Sequence, residues 1–140
     1  MSLAIPMMRI DRRLRILVVD DFAEMRDGLL RTLDTLGFKS VMAAEEAFAA
    51  IRLIEEGNQF DLIISDLNMP QISGLELLHY VRSVERLASI PFLMITAEAT
   101  KANVLAAAKA GVTDFIVKPF SVEQLILKIE GLQHRDNSIG

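Results

Sequence analysis

The sequence has no cysteine, no tryptophan and no long hydrophobic run, and each absence closes off a class of function. Without cysteine there is no disulfide framework, no thiolate nucleophile and no zinc–thiolate centre. A reducing compartment allows this, and a cytoplasmic location is the expectation. No stretch approaches the roughly 20 apolar residues that a membrane-spanning helix needs, so membrane insertion is not expected. An excess of cations is also missing: 15 Lys and Arg stand against 19 Asp and Glu, for a formal net charge of −4. That balance gives no general attraction to nucleic acid or anionic lipid, so direct nucleic-acid binding is not expected. The opening "MSLAIPMMRIDRR" lacks the ordered basic, apolar and cleavage regions of a secretory signal. Its Met-Ser-Leu is compatible with a cloning remnant, and residues 1–13 are set apart as an N-terminal extension.

What remains is the composition of one folded domain. The chain has 140 residues, 51% hydrophobic and 24% charged, which suits a single core rather than a disordered segment. Five short apolar runs, "LRILVVD", "FKSVMA", "DLIIS", "PFLMIT" and "DFIVK", read as strands. Helical patterns lie between them. The first places Phe22, Met25, Leu29, Leu33 and Leu36 at three- and four-residue spacings and stops at Gly37. The second places Phe48, Ile51 and Ile54 on one face and stops at Gly57. Ser73 with Glu76, and Ser121 with Gln124, make capping boxes that open the third and fifth helices. An Ala-rich fourth helix, "KANVLAAAKAG", closes at Gly111. The domain is expected over 14–132, with "HRDNSIG" in a frayed tail at 133–140.

Strands that are apolar almost throughout, alternating with helices, describe a parallel sheet covered on both faces. The expected fold is therefore an α/β/α three-layer sandwich. Right-handed crossovers then put every strand's carboxyl end on one edge, where such folds bind ligands. The strands end, in order, in Asp20-Asp21, Ala43-Ala44, Asp66, Thr96 and Lys118. Three carboxylates, a hydroxyl and an ammonium would thus meet from distant parts of the chain. Carboxylates so close repel unless cations sit among them. Lys118 supplies one, and a hard divalent cation such as Mg²⁺ is the natural second, leaving a coordination position for a phosphoryl oxygen. An aspartate in that setting can accept a phosphoryl group in line. Taken singly, each residue has a plainer use: an Asp after a strand usually caps a helix, a Thr turns a loop, a Lys before Pro is solvated. Their joint placement on one edge is what favours a site.

In "VVDD", "SDLNMP", "GLELL", "MITAEA" and "VKPF", in that order and spacing, the chain resembles the receiver domains of response regulators. The likeness runs from about Leu14 to Leu132 and is strongest toward single-domain, CheY-like chemotaxis regulators. It implies a flavodoxin-like five-stranded parallel sheet in the order 2-1-3-4-5. It further implies that Asp66 is phosphorylated. Asp20, Asp21, Asp66 and the backbone carbonyl of Asn68 would hold Mg²⁺, with Mn²⁺ an alternative. Thr96, the amide of Ala97 and Lys118 would contact the phosphoryl group, and the Lys118–Pro119 bond would be cis. Asn68 and Glu98 would tune dephosphorylation, although an exposed loop carboxylate is an equal reading of Glu98. Phe115 would be the switch aromatic, with a plain core phenylalanine the competing reading; Phe stands where chemotaxis members typically have Tyr. An output surface on the fourth helix, fifth strand and fifth helix would include Ala99, Lys101, Val104, Phe115 and Lys128. A sensor histidine kinase or phosphotransfer protein would donate the phosphoryl group, and an unidentified protein target would read the output surface. His79 and His134 are assigned no role.

The expected function is a two-component signalling switch that catalyses chemistry only on itself. Two other classes stay in view. A haloacid-dehalogenase-like phosphohydrolase would want Asp-x-Asp, and Asn68 stands at the third position. A phosphorylation-independent docking module would not need the intact set of Asp20, Asp21, Asp66, Thr96 and Lys118. Beyond Leu132 the sequence has no room for an output domain, so the chain is read either as acting alone or as a receiver excised from a longer regulator.

Overall fold

The computed structural model describes residues 10–139, with 134–139 as backbone only. The Met-Ser-Leu opening lies outside the described residues. Strands β1 (Arg15–Val19), β2 (Ser40–Ala44), β3 (Leu62–Asp66), β4 (Phe92–Thr96) and β5 (Asp114–Val117) alternate with five helices. The helices are α1 (Ala23–Thr35), α2 (Ala47–Glu55), α3 (Gly74–Ser83), α4 (Lys101–Ala110) and α5 (Val122–Ile139), and a 3-10 turn covers Glu85–Leu87. The strands form one parallel sheet in the order β2-β1-β3-β4-β5. The three-layer sandwich is thus as expected from the alternation.

Side chains along a strand point alternately to opposite faces, and in the three central strands, β1, β3 and β4, both faces are buried. Ile16, Val18, Ile64, Leu93, Ile95 and Ile116 meet α1 and α5 through Leu29, Leu33, Leu125 and Ile129. Leu17, Val19, Ile63, Phe92 and Met94 meet α2 and α3 through Ala50, Ile54, Leu77 and Val81. Fully burying one such aliphatic side chain contributes about 1.5–3 kcal/mol. These two half-cores explain why the strands read as continuous apolar runs. Helix α4 is the exception, burying only Ala107 fully.

Local signals set the helix ends. Ser73 and Glu76 make the expected reciprocal cap at α3, and Ser121 and Gln124 make the same pair of bonds before α5. Gly111 ends α4 in the left-handed conformation at φ 91°. Three expectations change. Phe22 caps α1 from outside the helix and is 57% exposed, so its place in the spacing pattern is coincidental. Phe48 is 48% exposed, because α2 buries Ala47, Ala50 and Ile54 instead. Small residues let that helix approach the sheet closely, and the bulky ring falls on the outer side. Finally, the backbone of α5 continues to Ile139, through most of the segment expected to fray. No Pro or Gly interrupts 132–139. At the other end, Ile10 from the extension joins the α1–α5 half-core.

Candidate functional site

The parallel register carries chemistry to one edge. Asp66 ends β3 opposite Ile95, Thr96 follows Ile95 and pairs with Val117, and Lys118 comes next. The Lys118 amide donates to the Thr96 carbonyl at 2.9 Å, closing the ladder there. On the other side the Asp20 amide donates to the Ala44 carbonyl at 3.2 Å and prolongs β1. Carboxylate oxygens of Asp20, Asp21 and Asp66 lie within 4.8 Å of one another. The Lys118 ammonium sits between two of them, 3.5 Å from Asp66 Oδ2 and 3.7 Å from Asp20 Oδ2.

Burial makes this arrangement expensive. Asp20 and Asp66 are 2% and 8% exposed, and Thr96 is fully buried. Burial pushes the Asp66 carboxyl above the usual carboxylate range; Lys118 pulls it back, and the neighbouring Asp20 adds to the rise. One ammonium for three carboxylates leaves the edge short of positive charge. An oxygen-only donor set converging at this spacing is what a hard divalent cation takes, so the residues fit such an ion. Asp21, the exposed member, keeps that position open to solvent.

The rim residues are connected by hydrogen bonds. The Asn68 side-chain amide donates to Glu98 Oε1 at 2.7 Å across the mouth of the site. The Glu98 backbone amide donates to Thr96 Oγ1 at 2.9 Å, and the Glu98 carbonyl accepts from Asn103 Nδ2 at 2.7 Å. Glu98 lies exposed in the loop after β4, with three of its atoms hydrogen-bonded. Ala97, Ala99 and Lys101 are exposed beside it. The Lys118–Pro119 bond is cis. Phe115, half-buried, packs against the α2–α3 half-core. Lys128 is tied to Asp114 at 3.0 Å, and Val104 is exposed on α4. His79 is exposed on α3.

Four residues that sequence reasoning passed over also shape the edge. Ser65 Oγ donates to the Asp66 carbonyl at 2.9 Å. A side chain at Gly74 would run into that same carbonyl, so only glycine allows α3 to start this close to the acceptor strand. The Gly74 amide donates to the Leu67 carbonyl at 2.8 Å, completing the turn. Asn103 reaches back from α4 to Glu98, and Arg26 Nη1 donates to the Asp20 carbonyl at 2.8 Å. A glycine directly after a capping serine, and a cation early in a helix, were the available signals.

A family model for the response regulator receiver domain matches residues 16–130, and the chain belongs to that family. It is a phosphoacceptor receiver of the class that catalyses only its own aspartyl phosphorylation and dephosphorylation. Among its relatives, the chemotaxis protein CheY of Pseudomonas aeruginosa is 42% identical over 124 residues, 89% of this chain and 99% of that one. Chemotaxis protein CheY-3 of Vibrio cholerae is 38% identical over 126 residues, 90% and 96% of the two chains. Among solved structures, Vibrio cholerae chemotaxis protein CheY4 superposes with a TM-score of 0.79 at 32% identity, over 84% of this chain and 96% of that one.

Proposed function

We propose that Asp66 is the phosphoacceptor, with Mg²⁺ or Mn²⁺ held by Asp20, Asp21, Asp66 and the backbone carbonyl of Asn68. The observation that carries this is the Lys118 ammonium placed between Asp20 and Asp66 within a cluster of three converging carboxylates. In the transfer, an Asp66 oxygen bonds to phosphorus as the donor's phosphorus–nitrogen or phosphorus–oxygen bond breaks in line, and the leaving group keeps the bonding pair. A bound divalent cation offsets the charge of the phosphoryl oxygens. Lys118 pairs with one of those oxygens, while the Thr96 hydroxyl and the Ala97 amide donate to the others. Asn68 and Glu98, joined across the mouth, govern how water reaches the acyl phosphate.

Output follows from Thr96. Its oxygen accepts from the Glu98 amide in the present arrangement, so turning toward a phosphoryl group gives up that bond and frees the β4–α4 loop. Phe115 turns inward with it, and a surface of Ala99, Lys101, Val104, Phe115 and Lys128 changes its affinity for a protein target. The phosphodonor is a sensor histidine kinase or phosphotransfer protein. Its chemotaxis relatives support a place in signalling of that kind. Whether the chain works alone or within a longer regulator, the receiver unit is 14–132.

The test is incubation with acetyl phosphate and Mg²⁺. Wild type gains one acid-stable, alkali-labile phosphate, and Asp66→Asn gains none. No adduct on wild type would reduce the protein to a docking module. Rapid turnover of small phosphate esters would make it a hydrolase.

A further inference from the structure

We infer that Arg26 is a positioning residue for the cation site, setting the plane of the Asp20–Asp21 peptide through its hydrogen bond to the Asp20 carbonyl. This rests on the reading of the acidic edge as a cation site. Arg26 is the fourth residue of α1, where a positive charge opposes the helix dipole. Helix energetics alone therefore do not favour it there. Its backbone is fixed by a bond from its amide to the Phe22 carbonyl at 2.9 Å, and its half-buried guanidinium turns back to the Asp20 carbonyl at 2.8 Å.

Every other polar group of Asp20 is already held. Its amide donates to Ala44, its Oδ1 accepts from the Phe22 amide at 2.9 Å, and its Oδ2 faces Lys118. The carbonyl is the remaining group, and it shares a rigid plane with the Asp21 nitrogen. Fixing the oxygen fixes the direction in which Asp21 leaves the strand. Asp21 is exposed, so packing does not aim its carboxylate into the cluster; the backbone does.

Positioning and bare charge make opposite predictions. A guanidinium acting only as a nearby positive charge competes with the metal, and its removal tightens Mg²⁺ binding. A guanidinium that aims Asp21 favours the metal, and its removal weakens binding. The experiment titrates wild type, Arg26→Met and Arg26→Lys with Mg²⁺ by calorimetry, with thermal midpoints in metal-free buffer as a fold control. Arg26→Met is expected to raise Kd about tenfold, the lower range for loss of a group that orients a ligand. Arg26→Lys, which keeps a donor of similar reach, stays within about threefold of wild type. A Kd unchanged or lowered in Arg26→Met, or raised equally in Arg26→Lys, overturns the assignment. Because cation binding is read directly, loss of phosphorylation on a protein whose Mg²⁺ affinity still depends on Arg26 would sink the acceptor reading alone.

Discussion

At the carboxyl edge of the sheet three carboxylates share one ammonium, whereas at the opposite edge helix ends meet guanidinium groups from other elements. Arg12 Nε donates to the Leu36 carbonyl at 2.7 Å, at the end of α1. Arg86 Nη2 donates to the Ile54 carbonyl at 2.6 Å, at the end of α2. Arg82 Nε donates to the Gly111 carbonyl at 2.9 Å, after α4, and its Nη1 reaches the Leu87 carbonyl. The last carbonyls of a helix lack partners within it and carry the negative end of its dipole. Arginine answers both needs. Arg15 and Asp61 complete that edge with a two-bond ion pair at 2.9 and 3.0 Å. One end of the molecule resolves its electrostatics internally; the other leaves a deficit of positive charge that a cation and a phosphoryl group exploit.

The largest effect is expected where the reactive edge joins the framework. Gly74→Ala drives a methyl group into the Asp66 carbonyl and costs about 3 kcal/mol, the upper range for overpacking. Urea unfolding measures it, and a loss under about 1 kcal/mol would show that the edge yields more easily than its hydrogen bonds suggest.

Next comes the opposite edge. Arg82→Met takes the guanidinium from the exposed Gly111 carbonyl and one of two donors from the Leu87 carbonyl, which keeps the Ile90 amide, and should cost about 1 kcal/mol. Hydrogen exchange should rise first in α4, the helix with the smallest buried face. Uniform exchange changes would mean that α4 is not held by its ends.

The smallest effects distinguish the edges by sign. The folded state raises the Asp66 carboxyl above its unfolded value. As pH rises through the unfolded value the unfolded chain releases a proton that the folded one retains, so stability falls progressively until pH passes the raised value and the full penalty persists above it. Asp66→Asn should therefore raise the thermal midpoint in metal-free buffer at neutral pH, with the gain fading as pH falls from the raised value toward the unfolded one and absent below about 4. Asp61 is the reverse: its hydrogen bonds from Arg15 lower its carboxyl in the folded state. Its contribution is present above the unfolded value and lost as pH falls through the lowered one. Asp61→Asn should cost about 0.5 kcal/mol at neutral pH, since the pair is partly exposed, and nothing in strong acid. Thermal midpoints of both variants from pH 3 to 8 test the contrast, and parallel shifts would erase it.

Much of the fold was legible because its signals are local. Capping boxes at Ser73 and Ser121 act over three residues, and an apolar run ending in Asp66 announces both a strand and its end. The helix faces were harder. In α2 apolar residues occupy nearly every position, so spacing alone could not choose between Phe48 and the alanines that in fact face the sheet. Arginine caps left no trace, since Arg12 and Leu36 are 24 residues apart and Arg86 and Ile54 are 32 apart.

The sequence by itself determined which chemical groups end each strand, because strand ends follow from where apolar runs stop. From there, right-handed parallel connections bring Asp20, Asp21, Asp66, Thr96 and Lys118 to one edge. Only the tertiary structure decided the rest: that Lys118 stands between Asp20 and Asp66, that Asn68 bonds to Glu98, and that Arg26 turns back onto the Asp20 carbonyl. Hydrogen bonds and ion pairs act within a few ångströms, and no spacing in the chain encodes which distant groups packing will bring that close.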